Sequence, residues 1–295
     1  MRLRALTGVA LTALLMTGPA QAAPRENPLV STGWLASHLK DPDLVLLHIG
    51  EAAEFEAGHI PGARFVRLSD IATNAGGRTL EMPTADDLRQ RLRALGVTDR
   101  SRVVVYFGED WVSPATRVLF TLRTAGLGER ADLLDGGLPK WRREGGAVTA
   151  AATPPATPGA LAAFQTRPTI VDVDFVRAHA GQPGYALIDA RAPVFYGGLQ
   201  AGGAHDHMKR GHIPGALSVP FTSVTNDDLT FKSPDALLAL FRTAGVKAGD
   251  RAIVYCHIGQ QGTAVVTAAR AVGIDAVLYD GSFEDWSIRD LPVAL

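Results

Sequence analysis

The sequence predicts two tandem α/β domains, each built on a mainly parallel sheet, and an internal repeat is the chief reason. The hexapeptide Gly58-His-Ile-Pro-Gly-Ala63 recurs as Gly211-His-Ile-Pro-Gly-Ala216. Each copy leads into a helical stretch and then a β-branched run, Arg102-Val-Val-Val-Tyr-Phe107 or Arg251-Ala-Ile-Val-Tyr-Cys256. Strands alternating with helical patterns read as βαβ units, which place their strands parallel. With 295 residues, 46% of them apolar, the chain can bury two separate cores.

Taken in order, Ser31 caps a short helix running through His38, and Leu44 to Ile49 reads as a buried strand. Thr84 with Asp87 opens a helix that ends near Gly96, and Ser233 followed by Pro234 opens its counterpart, ended by Gly245. After the β-branched runs, each half continues with a helix following Thr116 or Thr263. A strand then ends in Leu134-Asp-Gly136 or Tyr279-Asp-Gly281, and a tryptophan follows, Trp141 or Trp286. Ala150 to Gly159 is rich in proline and alanine and reads as a linker with little to bury. The expected boundaries are 27–149 for the first domain, 150–167 for the linker and 168–295 for the second domain.

Residues 1–22 precede this plan. Met1-Arg-Leu-Arg4 is a positive start, Ala5 to Met16 an apolar run, and Ala20-Gln-Ala22 a small-x-small cleavage site, together the pattern of a secretory signal peptide. Export to the periplasm is the expectation. The net charge of −1 becomes two units more negative once Arg2 and Arg4 leave with the leader, so neither nucleic acid nor an anionic membrane is expected as a partner. No later stretch is long and apolar enough to span a bilayer.

The single cysteine, Cys256, cannot form an intramolecular disulfide. A lone cysteine is ordinarily a small buried hydrophobe. Here it closes an apolar run and precedes a short loop, His257-Ile-Gly-Gln-Gln-Gly262, that leads into an alanine-rich helix. A sulfur over a helix start meets unpaired N–H groups and the positive end of the dipole, which stabilise a thiolate. Gly259 and Gly262 permit a tight backbone path there. In an open α/β sheet, the carboxyl ends of the strands are where ligands bind.

The halves differ at the positions that carry chemistry. Phe107 stands where the second half has Cys256, and the loop after it, Gly108 to Pro114, carries Glu109 and Asp110 and is no anion cradle. Leu187-Ile-Asp-Ala-Arg191 aligns with Leu46-Leu-His-Ile-Gly50, so Asp189 and Arg191 face His48 and Gly50. The first domain is therefore expected to be structural. Extra residues in the second half, from about Gly197 to Lys209, are placed to border its site.

These residues resemble the rhodanese family of sulfurtransferases, specifically its two-domain thiosulfate and 3-mercaptopyruvate sulfurtransferases. The resemblance rests on the duplicated hexapeptide, Asp189-Ala-Arg191, the cysteine loop after Ile-Val-Tyr, and the Asp-Gly…Trp ending of each half. It implies five-stranded sheets and double displacement at Cys256, which takes a sulfane sulfur from an anionic donor and gives it to cyanide or a thiol. Backbone N–H groups from His257 to Gly262 would cradle the sulfur. Arg191 would hold the donor's anionic end, with Asp189 supporting it; the alternative for Arg191 is a structural ion pair with Asp189. Lys209 and Arg210 could add positive field, and a sulfur-accepting protein is a further possible partner. No cofactor is expected.

The loop departs from the basic pattern of many thiosulfate-using members by carrying His257, Ile258 and Gln261, with Gln260 between, so the donor is left open. His257 is read either as a partial cation or proton donor near neutral pH or as a loop-lining hydrogen bonder. His205, Asp206, His207 and His212 fit no established zinc spacing, and no metal site is expected. His59 and His212 belong to the repeated turn, and Trp141 and Trp286 read as core closers. Two other functions fit parts of the pattern: a non-enzymatic sulfur carrier or protein-interaction module, and a cysteine phosphatase or arsenate reductase. The last needs a loop one residue longer, closed by arginine, where Gly262 stands.

Overall fold

A computed structural model describes residues 27–109, 111–162, 166–202 and 208–295. The leader at 1–22, Asp110, and His205, Asp206 and His207 lie outside the described residues. The first domain runs β1 (Leu29–Val30), α1 (Thr32–His38), β2 (Leu44–Ile49), α2 (Ala52–Ala57), β3 (Arg64–Val66), the hairpin β4 (Thr73–Ala75) and β5 (Arg78–Glu81), α3 (Ala85–Ala94), β6 (Arg102–Phe107), α4 (Val112–Leu122), β7 (Ala131–Leu134) and α5 (Gly137–Arg143). The second runs β8 (Ile170–Val171), α6 (Val173–His179), β9 (Tyr185–Asp189), α7 (Pro193–Tyr196), β10 (Leu217–Ser218), α8 (Pro234–Ala244), β11 (Arg251–Tyr255), α9 (Gly262–Ala271), β12 (Ala276–Tyr279) and α10 (Ser282–Ile288).

Each domain holds a five-stranded parallel sheet, and the orders correspond: β1-β7-β6-β2-β3 and β8-β12-β11-β9-β10. The sequence signals behind the helices act as expected. Ser31 accepts from the Trp34 N–H, Thr84 from that of Asp87, and Ser233 from that of Ala236. Gly245 ends α8 at a left-handed φ of 106°, open to glycine at little cost.

The repeated hexapeptide is a tied-down turn. Tyr106 and Tyr255, at the ends of β6 and β11, accept hydrogen bonds from the N–H groups of Ile60 (3.2 Å) and Ile213 (3.0 Å). His59 stacks on Phe55 and bonds its carbonyl at 2.8 Å; His212 stacks on Tyr196 and bonds its carbonyl at 2.9 Å. Trp141 and Trp286 are buried, each donating its indole N–H to a carbonyl six residues on, Ala147 or Pro292.

One expectation needs correction. The helix expected after Thr116 begins earlier, at Val112, because Pro114 falls in its first turn, where a missing N–H costs nothing. The stretch 150–159 is mostly exposed, as expected of a linker with little to bury, and is held by a few contacts. Gly159 exchanges hydrogen bonds with Arg93, Thr153 donates to the Ala63 carbonyl, and a Cβ on Gly159 would meet the Val97 carbonyl oxygen at 2.1 Å. It is laid down along the first domain.

One contiguous apolar core crosses both domains through α4 and α9, joining Phe107, Val118 and Leu119 to Val254, Cys256 and Val265. The outer sheet faces are closed separately, by Leu35, Leu138 and Trp141 in the first domain and by Val176, Phe283 and Trp286 in the second. The halves are related by an approximate two-fold axis. The Thr116 and Thr263 hydroxyls, aligned in the repeat, meet across it at 2.9 Å. Asp280 accepts from the Met82 N–H (3.2 Å) and its counterpart Asp135 from the Phe231 N–H (2.8 Å).

Candidate active site

The parallel register of β9 and β11 pairs Asp189 with Tyr255, so Arg191 and Cys256 leave adjacent central strands at the same edge. Cys256 is fully buried and its thiol is free. Its N–H donates to the Ser282 hydroxyl at 3.2 Å, and that hydroxyl donates to the Tyr279 carbonyl at 2.9 Å. Ser282 adopts a left-handed φ of 52°, unusual for a residue with a side chain. Sequence reasoning missed it, because the bond closes across 26 residues and no spacing announces it.

From Cys256 the chain turns through residues 257–261 and enters α9 at Gly262. The N–H groups of residues 257–262 have no hydrogen-bond partner among the described residues. Gly259 sits at φ 77°, and a Cβ there would lie 2.6 Å from the Asp280 carbonyl oxygen. The result is a tight turn of unpaired donors at the start of a ten-residue helix, an arrangement that favours negative charge.

Asp189 and Arg191 form a closed pair. The guanidinium holds both carboxylate oxygens, at 2.6 to 3.1 Å, and donates to the Gly211 carbonyl at 2.7 Å. Asp189 also accepts from the Tyr255 hydroxyl at 2.8 Å, and both members of the pair are fully buried. Burial opposes the charge on Arg191, but hydrogen bonds and attraction from Asp189 outweigh it and hold the guanidinium protonated. One nitrogen, Nη1, is left buried without a partner. The two readings of Arg191 are therefore compatible: three of its five donors bind the fold and Nη1 is spare.

His257 differs from one expectation. Burial first, and then the Arg191 charge, lower its pKa to about 4, so the ring is neutral at pH 7 and no partial cation. Its edge meets Phe195, and its Nδ1 is buried without a partner. A Cβ on Gly202 would lie 2.7 Å from this Nδ1 and 3.5 Å from Arg191 Nη1. Two nitrogens without partners among the described residues thus converge beside Gly202, next to the cysteine loop. Arg210 is exposed and donates to the Leu199 carbonyl, while Lys209 is held by Asp290 and the Leu291 carbonyl. Neither touches the loop among the described residues.

The first domain completes the wall. Gln260 donates from Nε2 to Ser113 Oγ at 3.1 Å, and Arg117 Nη1 donates to the Gly259 carbonyl at 3.0 Å. Arg117 also holds both oxygens of Asp280 and donates to the Leu80 carbonyl. The equivalent edge of the first domain has a different filling. The Phe107 ring occupies it, and a Cβ on Gly137, the counterpart of Ser282, would lie 2.6 Å from that ring. His48 takes the place of Asp189; it is fully buried and lowered to about 4, first by burial and then by His59 and Arg142. Glu109 is paired with Arg142 at 2.6 Å.

Comparison with known proteins finds the same duplication of the chain. The family model described as the rhodanese-like domain matches twice, at residues 31–144 and 172–289. The chain belongs to the rhodanese family. This rhodanese is 34% identical over 284 residues to a protein of Mycobacterium tuberculosis named putative thiosulfate sulfurtransferase SseB, covering 95% of this chain and 94% of that one. It is 30% identical to the 3-mercaptopyruvate sulfurtransferase of Escherichia coli K12, covering 90% and 96%. Among solved structures, YnjE superposes with a TM-score of 0.82 at 23% identity, covering 93% of this chain and 70% of that one. Tum1 of Saccharomyces cerevisiae gives 0.78 at 19% identity, covering 90% and 96%. The protein is a sulfurtransferase enzyme.

Proposed function

We propose that this sulfurtransferase carries sulfane sulfur on Cys256 as a persulfide. The observation that carries the reading is the only thiol of the chain lying at the head of a turn of unpaired N–H groups. With thiosulfate, the Cys256 thiolate attacks the outer sulfur, the S–S bond of the donor breaks, and sulfite leaves with the bonding pair. With 3-mercaptopyruvate, the C–S bond breaks instead, the pair stays on carbon as an enolate, and the sulfur-bound proton moves there to give pyruvate. Either step leaves Cys–S–S⁻ on the enzyme. Cyanide or a thiolate then takes the outer sulfur and restores the Cys256 thiolate. The N–H groups of 257–262 stabilise both anionic forms of the sulfur without a general base.

Arg191 Nη1 and His257 Nδ1 meet the anionic end of the donor. His257 is neutral at pH 7 and Arg191 is already matched by Asp189, so the side chains supply little net positive charge. This favours a singly charged carboxylate donor, 3-mercaptopyruvate, over doubly charged thiosulfate. The test is intact mass after incubation with each donor. The wild-type protein should gain one sulfur atom and Cys256→Ser none, with a higher kcat/KM for mercaptopyruvate. A wild-type protein that gains no sulfur from any donor overturns the persulfide reading, and a preference for thiosulfate overturns the donor assignment.

A further inference from the structure

The first domain does more than support the second. Ser113, Thr116 and Arg117 lie at i, i+3 and i+4 on α4, one face of the helix. That face meets Gln260, Thr263 and Gly259, the end of the cysteine turn and the start of α9. Arg117 is fully buried although it sits among apolar helix positions. A guanidinium in such a place is costly unless its donors are matched. Here Nη1 and Nη2 bind the Gly259 carbonyl, both oxygens of Asp280, and the carbonyl of Leu80, which is itself left-handed at φ 59°, while Nε has no partner among the described residues.

We propose that Arg117 is a positioning residue for the Cys256 turn, an arm of the structural domain that orients the cradle of the catalytic one. In a trans peptide the carbonyl and the following N–H point in opposite directions. Fixing the Gly259 carbonyl on Arg117 therefore turns the Gln260 N–H away from the first domain and into the turn that Cys256 heads. Gly259 packs closely on the same groups: a Cβ there would lie 2.8 Å from Asp280 Oδ1 and 2.9 Å from Arg117 Nη1. Arg117 touches neither the sulfur nor the donor, so it acts on how readily the thiolate forms and reacts, not on donor affinity. The effect on sulfur loading rests on the persulfide reading of Cys256; the effect on the thiolate does not.

Because the chain has one cysteine, its thiolate can be titrated directly by ultraviolet absorbance against Cys256→Ser. In Arg117→Met the Cys256 thiolate should titrate higher by about one unit, as expected for loss of one oriented donor. Single-turnover loading from mercaptopyruvate should slow by about tenfold with KM for the donor unchanged. Arg117→Lys keeps the charge but not the planar fork that serves three partners at once, and should behave as Arg117→Met. If Arg117→Met does not fold, Arg117→Lys gives the same readout. Asp135→Asn weakens the symmetry-related contact between the domains without touching the turn; it should lower the melting temperature and leave the titration unchanged. A wild-type titration in Arg117→Met or Arg117→Lys, or an equal shift in Asp135→Asn, overturns the proposal. A wild-type protein whose titration responds to Arg117 but which never gains sulfur leaves the positioning intact and removes the persulfide reading.

Discussion

Arg191 shows how much a single buried side chain is asked to do. Truncating it to alanine would leave Asp189 buried with only the Tyr255 hydroxyl and the Arg191 N–H as donors, at a cost of about 3–5 kcal/mol. Urea denaturation of Arg191→Ala should show that loss, so its lost activity would not by itself report donor binding. Arg191→Lys, which keeps a charge beside Asp189, is the variant whose KM reports on Nη1. His48 makes a separate prediction about pH. Its folded pKa, about 4, is depressed below the ordinary 6.5, so the unfolded chain takes up its proton first as pH falls. The linked stability is present above pH 6.5 and is lost as pH falls toward 4, by about 3 kcal/mol over that window. Thermal melts across this range should become less steep in His48→Met, with His257, lowered to about the same value, supplying the remainder; an equally steep dependence in that variant would show that His48 contributes nothing. The residues legible from sequence were those where aligned repeats differ, Cys256, Asp189 and Arg191. Ser282 and Arg117 act through contacts made far along the chain. Arg117 left one trace, a charge inside an apolar helical run where the other half has Ala264.

At the scale of elements, the two strand-to-helix turns are alternative packings of one backbone. In the first domain a large ring and a residue without a side chain fill the space, Phe107 and Gly137; in the second, Cys256 and Ser282 fill it. Gly137→Ser alone places its Cβ within 2.7 Å of the Phe107 ring and should destabilise the protein, and Phe107→Cys alone opens a cavity costing about 3–5 kcal/mol. The double variant relieves the clash by filling the cavity. A double-mutant cycle by chemical denaturation should give a favourable coupling of about 1 kcal/mol or more, and simple additivity would reject the idea that the pairs are linked. Helix and strand positions were readable because caps, β-branched runs and the hexapeptide are local signals. The early start of α4 and the docking of 150–159 were not, since both depend on which backbone groups the folded protein has already satisfied.

For the whole molecule, the shared core and the crossed Asp135 and Asp280 contacts mean that neither half is finished alone. The first-domain hairpin donates from Thr79 to Glu284 and from Arg78 to Asp285, and Arg270 lies over Phe120. Calorimetry should therefore show one cooperative transition, and 168–295 expressed alone should expose the apolar face of α9 and fail to fold stably; two well-separated transitions would contradict this. The repeat made two domains legible, but not that their cores merge, because the pattern of α4 and α9 marks them as buried without saying by what. The approximate two-fold axis through Thr116 and Thr263 has one last consequence. A dimer of identical chains would carry every residue twice, a thiol and an arm in each copy. Fusion into one chain lifts that constraint: one half keeps the thiol and fills its twin's place with Phe107, while the other keeps the arm at Arg117 and Ala264 stands opposite. The two copies of one plan thus divide the thiol and the arm between them.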